Sequence, residues 1–497
     1  MFKVFYSVSQ PANFKYSVEP MVHLESLGED VQIYMFYFLR PPEIIKMRKT
    51  CRQMCAVSKL RIVWTNACAR YILEKGFPFT TKPLDSMSLS ELEQRTCHAY
   101  HLASRWLSGL SMPRRTLFID ATSSTSVSDV RFIPGHSGDW ILTVSKGIWD
   151  MFSIWDVSSS EARKACEWSP RGATFNGLAF NTDPVSEATL AISVLQNDGE
   201  HTVQVISLQI DANGSCSLQT IFSIPSSMKP TKLHGDRLAI SDDVSQTVVW
   251  NWRTKACAIL DQSDDETDIW QPNRSIQVVF AHQGVLVVRA CSIHLFPEPE
   301  LCDVPRTYTP IARHSFGWID GICVAPTRLG TPPALSILLR GESDDPWSSG
   351  LHSLDLYTLR PSVTDATAAG YVFPPTLVSK VPAVRGSLRC RNVILGPCGT
   401  AAWIQPQDRA VVGLAWAGGE EYPLQAIHPV SGHESLVIAA FPGPLVQAGQ
   451  GDDGEAVTQS SAIFTNSLNN WTALDYDEEM GRIALCSSFG RVLVLEL

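Results

Sequence analysis

The chain has 497 residues, 44% hydrophobic and 18% charged, which is too long for one ordinary core and is the composition of a folded globular protein, so two or more units are expected. Its net charge of −10 hides an asymmetry, because residues 1–115 hold 16 Lys+Arg against 9 Asp+Glu and the remainder holds 24 against 41. So acidic a body argues against nucleic acid as a partner, since neutralising phosphates takes clustered Lys and Arg.

The 13 cysteines are scattered, without a dense framework or paired CxxC spacing, as in a reducing compartment, so a cytoplasmic or nuclear location is expected. Residues 1–20 mix Lys3, Gln10, Asn13 and Lys15 with aromatics and lack the apolar core of a signal peptide. The longest early apolar run, 33–39, is far short of the roughly 20 residues that span a bilayer, so no membrane segment is expected.

Helical periodicity opens the chain. Over 29–39, Val31, Met35, Phe38 and Leu39 fall at helical spacing, and Pro41-Pro42 stop the segment. A second helix is predicted from Pro42, with Ile44, Ile45, Met47, Cys51, Met54 and Cys55 down one side. A third apolar segment runs from Leu60 through Trp64 and Tyr71 to Leu73 and ends at Gly76. Such short helices make a small core, so a partner covering apolar surface is expected.

These residues resemble an F-box. The run Leu27-Gly28-Glu29-Asp30-Val31, then Met35-Phe36-Tyr37-Phe38-Leu39-Arg40-Pro41, Ile44-Ile45-Lys46-Met47 and Cys51-Arg52, fits the family's motif without a gap over 24–64. It departs in Gly28 for the usual proline, Glu43 for aspartate and Met54 for a common tryptophan. The resemblance implies docking on the Skp-family adaptor of an SCF (cullin) ubiquitin ligase, through Leu27, Val31, Met35, Leu39, Pro41, Ile44, Ile45 and Met47. A plain intramolecular core is the competing reading for that stripe.

After a Pro- and Ser/Thr-marked loop, Ser90 with Glu93 predicts a capping box and a connector helix whose buried stripe is Leu92, Thr96, Ala99, Ala103 and Trp106. Its Cys97, His98 and His101 are too few for a metal site and are read as structural.

From Arg115 onward the rhythm changes to short apolar strands between Gly, Pro, Asn and Asp turns. Val130 to Ile133, a turn, Trp140 to Val144, then Phe152 to Val157 with Trp155-Asp156 closing the third strand, resembles one WD-type propeller blade. The layout recurs over 178–208, 238–252, 278–296, 322–357, 393–416 and 474–495, which gives about seven blades, with six or eight open and a pair of sandwiches as the alternative. The strand at 115–119 is expected to pair with the last, 492–497, because closure removes exposed sheet edges.

The fold class expected is therefore multidomain, α plus all-β: an F-box-like helical module at 21–76, a linker and connector helix at 77–113, and a β-propeller recognition domain at 114–497. The loops 262–272, 341–350 and 446–461 are long, polar and acidic, and are expected to move. Asp264-Asp265-Glu266 with Asp268, and Asp475 with Asp477, lack the spacing of a calcium loop and are read as solvated turns. Gly135-His136-Ser137-Gly138 is not a nucleophile elbow, and no P-loop or dinucleotide fingerprint occurs. No catalytic residue, metal or cofactor is expected. The function read from the chain is a non-enzymatic substrate receptor for an unidentified protein target, against a propeller scaffold without a ligase or, third, a propeller hydrolase. Trp270, Trp347 and Trp471 are either contact anchors or core, core being the commoner fate of tryptophan.

Overall fold

The structure, a computed structural model, describes residues 27–109, 112–123, 125–135, 139–170, 172–197, 199–210, 216–261, 273–341, 352–362, 370–383, 389–406, 433–449 and 458–497. His136 to Gly138, Trp270, Trp347, the cluster Asp264 to Asp268 and most of the three long loops lie outside them. Contacts divide the chain into two units, Met1–Tyr71 with Lys82–Cys97, and Ile72–Thr81 with His98–Leu497.

The first unit is helical. Helix α1 spans Glu29–Tyr37, α2 Pro41–Met47, α3 Arg52–Val57 and α4 Arg61–Cys68. The single helix expected across 42–55 is broken in two, because Cys51 turns extended and its Sγ accepts from Met54 N at 3.5 Å as the cap of α3. Proline opens α2, where no N–H is needed, and Glu43 reaches back to accept from Arg40 N at 2.8 Å. The module's core is Phe36, Ile44, Met54, Val57, Val63, Trp64, Ala67 and Cys68. Met54, 2% exposed, fills the middle of this core from α3. A polar clamp closes the module: Arg48 donates to Glu93 at 2.6 and 2.8 Å and to Ser58 O at 3.1 Å, and it lies 5.7 Å from the Trp64 ring centroid.

Helix α5 spans Leu89–Leu107 and contributes to both units. It begins two residues earlier than the capping box at Ser90 predicts: Ser88 Oγ accepts from Glu91 N at 3.1 Å, and Glu93 is taken by Arg48. The expected stripe of Leu92, Thr96, Ala99, Ala103 and Trp106 is buried throughout.

The second unit is a seven-bladed β-propeller. Six blades take four antiparallel strands each, at 126–168, 174–225, 229–260, 275–315, 319–383 and 393–466, consecutive in the chain except in the fourth, and each candidate segment of the sequence falls in its own blade, with 407–416 of the sixth outside the described residues. A short strand, Arg306–Tyr308, adds in parallel to the outer edge of the third blade. The seventh blade joins the two ends of the domain. Strands Trp471–Asp477, Arg482–Ser487 and Arg491–Glu496 are completed by Arg115–Asp120, in the register Arg115 to Glu496 through Asp120 to Arg491. The expected closure is present, and no edge is left open at the seam.

Adjacent blades are tied by side chains as well as by packing. Asp475 of the seventh blade accepts from Phe132 N at 2.7 Å and lies 3.6 Å from Arg131, which also holds Asp129 at 3.2 Å. Gln277 exchanges two bonds with the backbone of Val324, and Arg340 spans from Asp320 to the carbonyls of Arg391 and Ile404. Trp155 donates to Thr143 Oγ1 at 3.0 Å, so the indole of the Trp155-Asp156 pair locks the second and third strands of its blade.

Candidate docking surfaces

Two surfaces follow from this architecture, one on each unit. On the helical unit the predicted stripe divides. Pro41 and Ile44 are buried, Ile44 at 0% exposure, so both serve the module's own core. Leu27, Met35, Leu39, Ile45 and Met47 are half-buried, and Val31 is exposed. Helical spacing cannot separate these groups, because a four-helix module has apolar positions on its inner and outer faces alike.

Tyr34, Tyr37, Phe38 and Ile62 are also exposed and were missed or undervalued, although the first three sit at i, i+3 and i+4 on one face of α1. Their arrangement is ordered. Tyr34 and Phe38 meet edge to face at 5.1 Å, and Arg70 stands 4.7 Å from the Tyr37 ring and 5.1 Å from that of Phe38. Arg70 also donates to Tyr37 O and Tyr71 to Phe38 O, which satisfies carbonyls at the end of α1. The outcome is an exposed aromatic face with Arg70 set against it.

On the propeller, strand alternation fixes the two faces. Connections from first to second and from third to fourth strands share one face, and those from second to third strands and from blade to blade share the other. The first face is covered at the fifth to seventh blades by the chain's own connector. Gly76, at φ +61, sits where a Cβ would come within 2.5 Å of Pro444 Cβ and 3.0 Å of Leu329 Cγ, so the chain turns there directly against the blades. Phe77 and Phe79 are buried, Arg328 donates to Thr80 O, Leu102 packs on the turn at Gly481, and Trp106 lies 6.4 Å from the Tyr476 ring. The second face carries no such cover among the described residues.

Several charged groups are shifted by burial within the fold. Asp475 is committed to Arg131 and Phe132, Asp477 accepts from Met480 N, and burial pushes both carboxyls up, Asp477 to about 6. Glu478 accepts from Cys398 N and Thr400 N in the neighbouring blade, and burial raises it too. Burial lowers Lys232, on an inner strand. His98 is lowered by burial, and no group of three or more His, Cys, Asp or Glu placed to hold a metal occurs among the described residues. Trp471 is core. No described helix is long and apolar enough to cross a membrane.

No protein-family model matches the chain, and no curated protein matches it. Among solved structures, the β-propeller domain of Myceliophteria thermophila Cps50 (Swd1) aligns with 78% of this chain and 99% of that domain, at 11% sequence identity and a TM-score of 0.44. That is a likeness of fold and of nothing else. A seven-bladed propeller displaying loops on an uncovered face is consistent with a protein-interaction scaffold.

Proposed function

We propose that the chain is the target-recognition subunit of an SCF-type ubiquitin ligase of the cytoplasm or nucleus. The helical unit docks on a Skp-family adaptor, the propeller holds a protein target, and ubiquitin transfer is performed by other subunits of the cullin complex. One observation carries the reading: α1 keeps Val31, Tyr34, Tyr37 and Phe38 in solvent although the module's own core is already filled by Phe36, Ile44, Met54 and Trp64. An outer apolar face of this kind, at helical spacing, is what a partner's helices cover. The F-box-like run of residues over the same helices names the class of partner.

The test is binding of the full chain to a purified Skp-type adaptor by isothermal titration. Replacing Val31 and Phe38 together by aspartate removes roughly 1.5–3 kcal/mol of burial at each site and places charge in the contact, so affinity is expected to fall by well over tenfold. Helical circular dichroism unchanged from wild type shows that the module still folds. Wild-type chain that does not bind the adaptor at micromolar concentration refutes the ligase reading and leaves a propeller scaffold.

A further inference from the structure

Between the third and fourth blades, toward the uncovered face, a buried polar cluster caps the apolar core. Arg289 ends the second strand of the fourth blade, and Val285 and Val287 before it pack with Phe296 against Ala239, Val249 and Leu260 of the third. Strand alternation therefore turns Arg289, and His294 two residues before Phe296, toward the third blade as well. Arg289 is 0% and His294 2% exposed. Ser275, directly across the ladder from Arg289, meets Thr247 of the third blade at 3.0 Å, and Thr247 meets Ser241 at 2.9 Å. A second run of bonds has a direction. Asn273 Oδ1 accepts from Cys291 N at 3.2 Å, which orients the amide; its Nδ2 donates to Ser292 Oγ at 3.1 Å, and Ser292 Oγ lies 2.9 Å from His294 Nε2. A hydroxyl that accepts from the amide gives its own proton to Nε2, which leaves the proton of the neutral imidazole on Nδ1. Among the described residues, His294 Nδ1 and Arg289 Nε and Nη2 are buried without a hydrogen-bond partner. All three are N–H donors.

The structure assigns to this cluster a binding site for a carboxylate, seated on the Nε–Nη2 edge of Arg289 with His294 Nδ1 beside it. Buried donors without an acceptor are costly, and that edge of a guanidinium takes the two oxygens of a carboxylate as parallel bonds. The neighbouring acids do not fill the role. Burial lowers the Arg289 guanidinium to about 10, and Asp242 and Asp261 oppose this through space, but neither is bonded to Nε or Nη2. Asp242 Oδ1 is committed to the backbone N–H groups of Val244, Ser245 and Gln246 at 2.8–3.0 Å, and Arg289 Nη1 reaches Asn273 O at 3.5 Å. The same two acids set the charge of the ligand. Burial holds the His294 imidazole down to about 4, so it is neutral at pH 7, and Arg313 across the ladder from it is exposed. Arg289 is then the cluster's one buried cation: it compensates a singly charged anion, whereas a doubly charged phosphate would face Asp242 and Asp261 with charge to spare. So enclosed a place admits a small group, an acidic side chain or a free small acid. The site stands apart from the ligase reading and does not rest on it.

The probe is acetate, added to the full chain against chloride at matched ionic strength, and read by saturation transfer to the acetate methyl and by the melting of the propeller. Saturable binding and a raised melting temperature are expected. Affinity is expected to fall at least tenfold in Arg289→Lys, which keeps the charge and loses the fork, and several-fold in His294→Gln, which decides the matter should circular dichroism show that Arg289→Lys does not fold. A blocked peptide with a single glutamate separates the sources: if it displaces acetate the ligand is an acidic side chain, and if acetate binds undisplaced the ligand is a free small acid, the site standing in both cases. Acetate with no more effect than chloride, binding indifferent to both variants, or phosphate bound more tightly than acetate overturns the site. So does acetate binding that appears only when Asp264, Asp265, Glu266 and Asp268 are all changed to their amides, because the chain would then supply the carboxylate itself.

Discussion

The helical unit and the propeller reach stability by opposite routes. In the first, contacts are near in sequence: the clamp of Arg48 on Glu93 spans 45 residues, and most bonds span fewer than 35. In the second, Phe132 is bonded to Asp475 across 343 residues, and the first strand is completed only by the last. A unit made of local contacts is small and cannot cover all its apolar residues, which is why α1 keeps a greasy outer face. A closed ring covers its strands and is left with loops to display.

The sharpest way to break this contrast is at the seam. A chain of residues 1–490, set beside the full chain, lacks only the last strand and leaves Arg115–Asp120 without its partner. Losing Val492 and Val494 alone removes roughly 3–6 kcal/mol of burial, a large part of a domain's usual 5–15, so the truncated chain is expected to be insoluble or protease-sensitive. Equal melting of the two would show that the blades do not need closing.

A smaller effect separates the units by pH. Burial pushes the His294 imidazole, on the fourth blade, down to about 4 from an ordinary 6.5. A group depressed in the folded state adds stability that is complete above about pH 6.5 and is lost as pH falls through about 4, up to about 3 kcal/mol in all. The buried carboxyls of Asp475, Asp477, Glu434 and Glu478 are raised and run in the opposite sense. They cancel when His294→Leu is compared with wild type by melting across pH 4–7. The wild type is expected to lose more stability toward acid than the variant, in the propeller's transition alone. Parallel profiles would contradict this.

The smallest expected effect tests the helical unit. Gly28 caps α1 at φ −57 and ψ 152, a backbone that proline adopts, and no bond from its N–H is present among the described hydrogen bonds. Gly28→Pro is therefore expected to stabilise the module by about 0.4–1 kcal/mol, by restricting the unfolded chain, and to leave the propeller's melting unchanged. Destabilisation would mean that the chain entering α1 is not free to take that geometry.

Much of this molecule was legible in its sequence, for physical reasons that differ between the units. Blade after blade, the alternation of short apolar strands and turn residues repeats a constraint local to about ten residues, so seven segments could be placed and the seam anticipated. The helical boundaries were harder where a long-range partner decides. Ser88 and Ser90 each have a glutamate three residues on, and the choice falls to Ser88 because Glu93 is held by Arg48, on another helix 45 positions earlier. Val31 and Ile44 each fall at helical spacing in their own helix, yet one is surface and the other core, a distinction that the spacing does not carry. The turns at Ile148 and Phe489 lie 341 positions apart in numbering, and only ring closure makes their blades neighbours.

The seam also sets a timetable for biosynthesis. Strand Arg115–Asp120 leaves the ribosome as an edge with no partner, and its partner, Arg491–Glu496, is not made until some 370 residues later. At ordinary rates of synthesis, about 5–20 residues per second, that edge waits roughly 20–75 seconds. The helical unit, whose contacts are all upstream, is complete throughout this interval. Under the proposed function, an adaptor could therefore be engaged by a nascent chain whose ring has not yet closed.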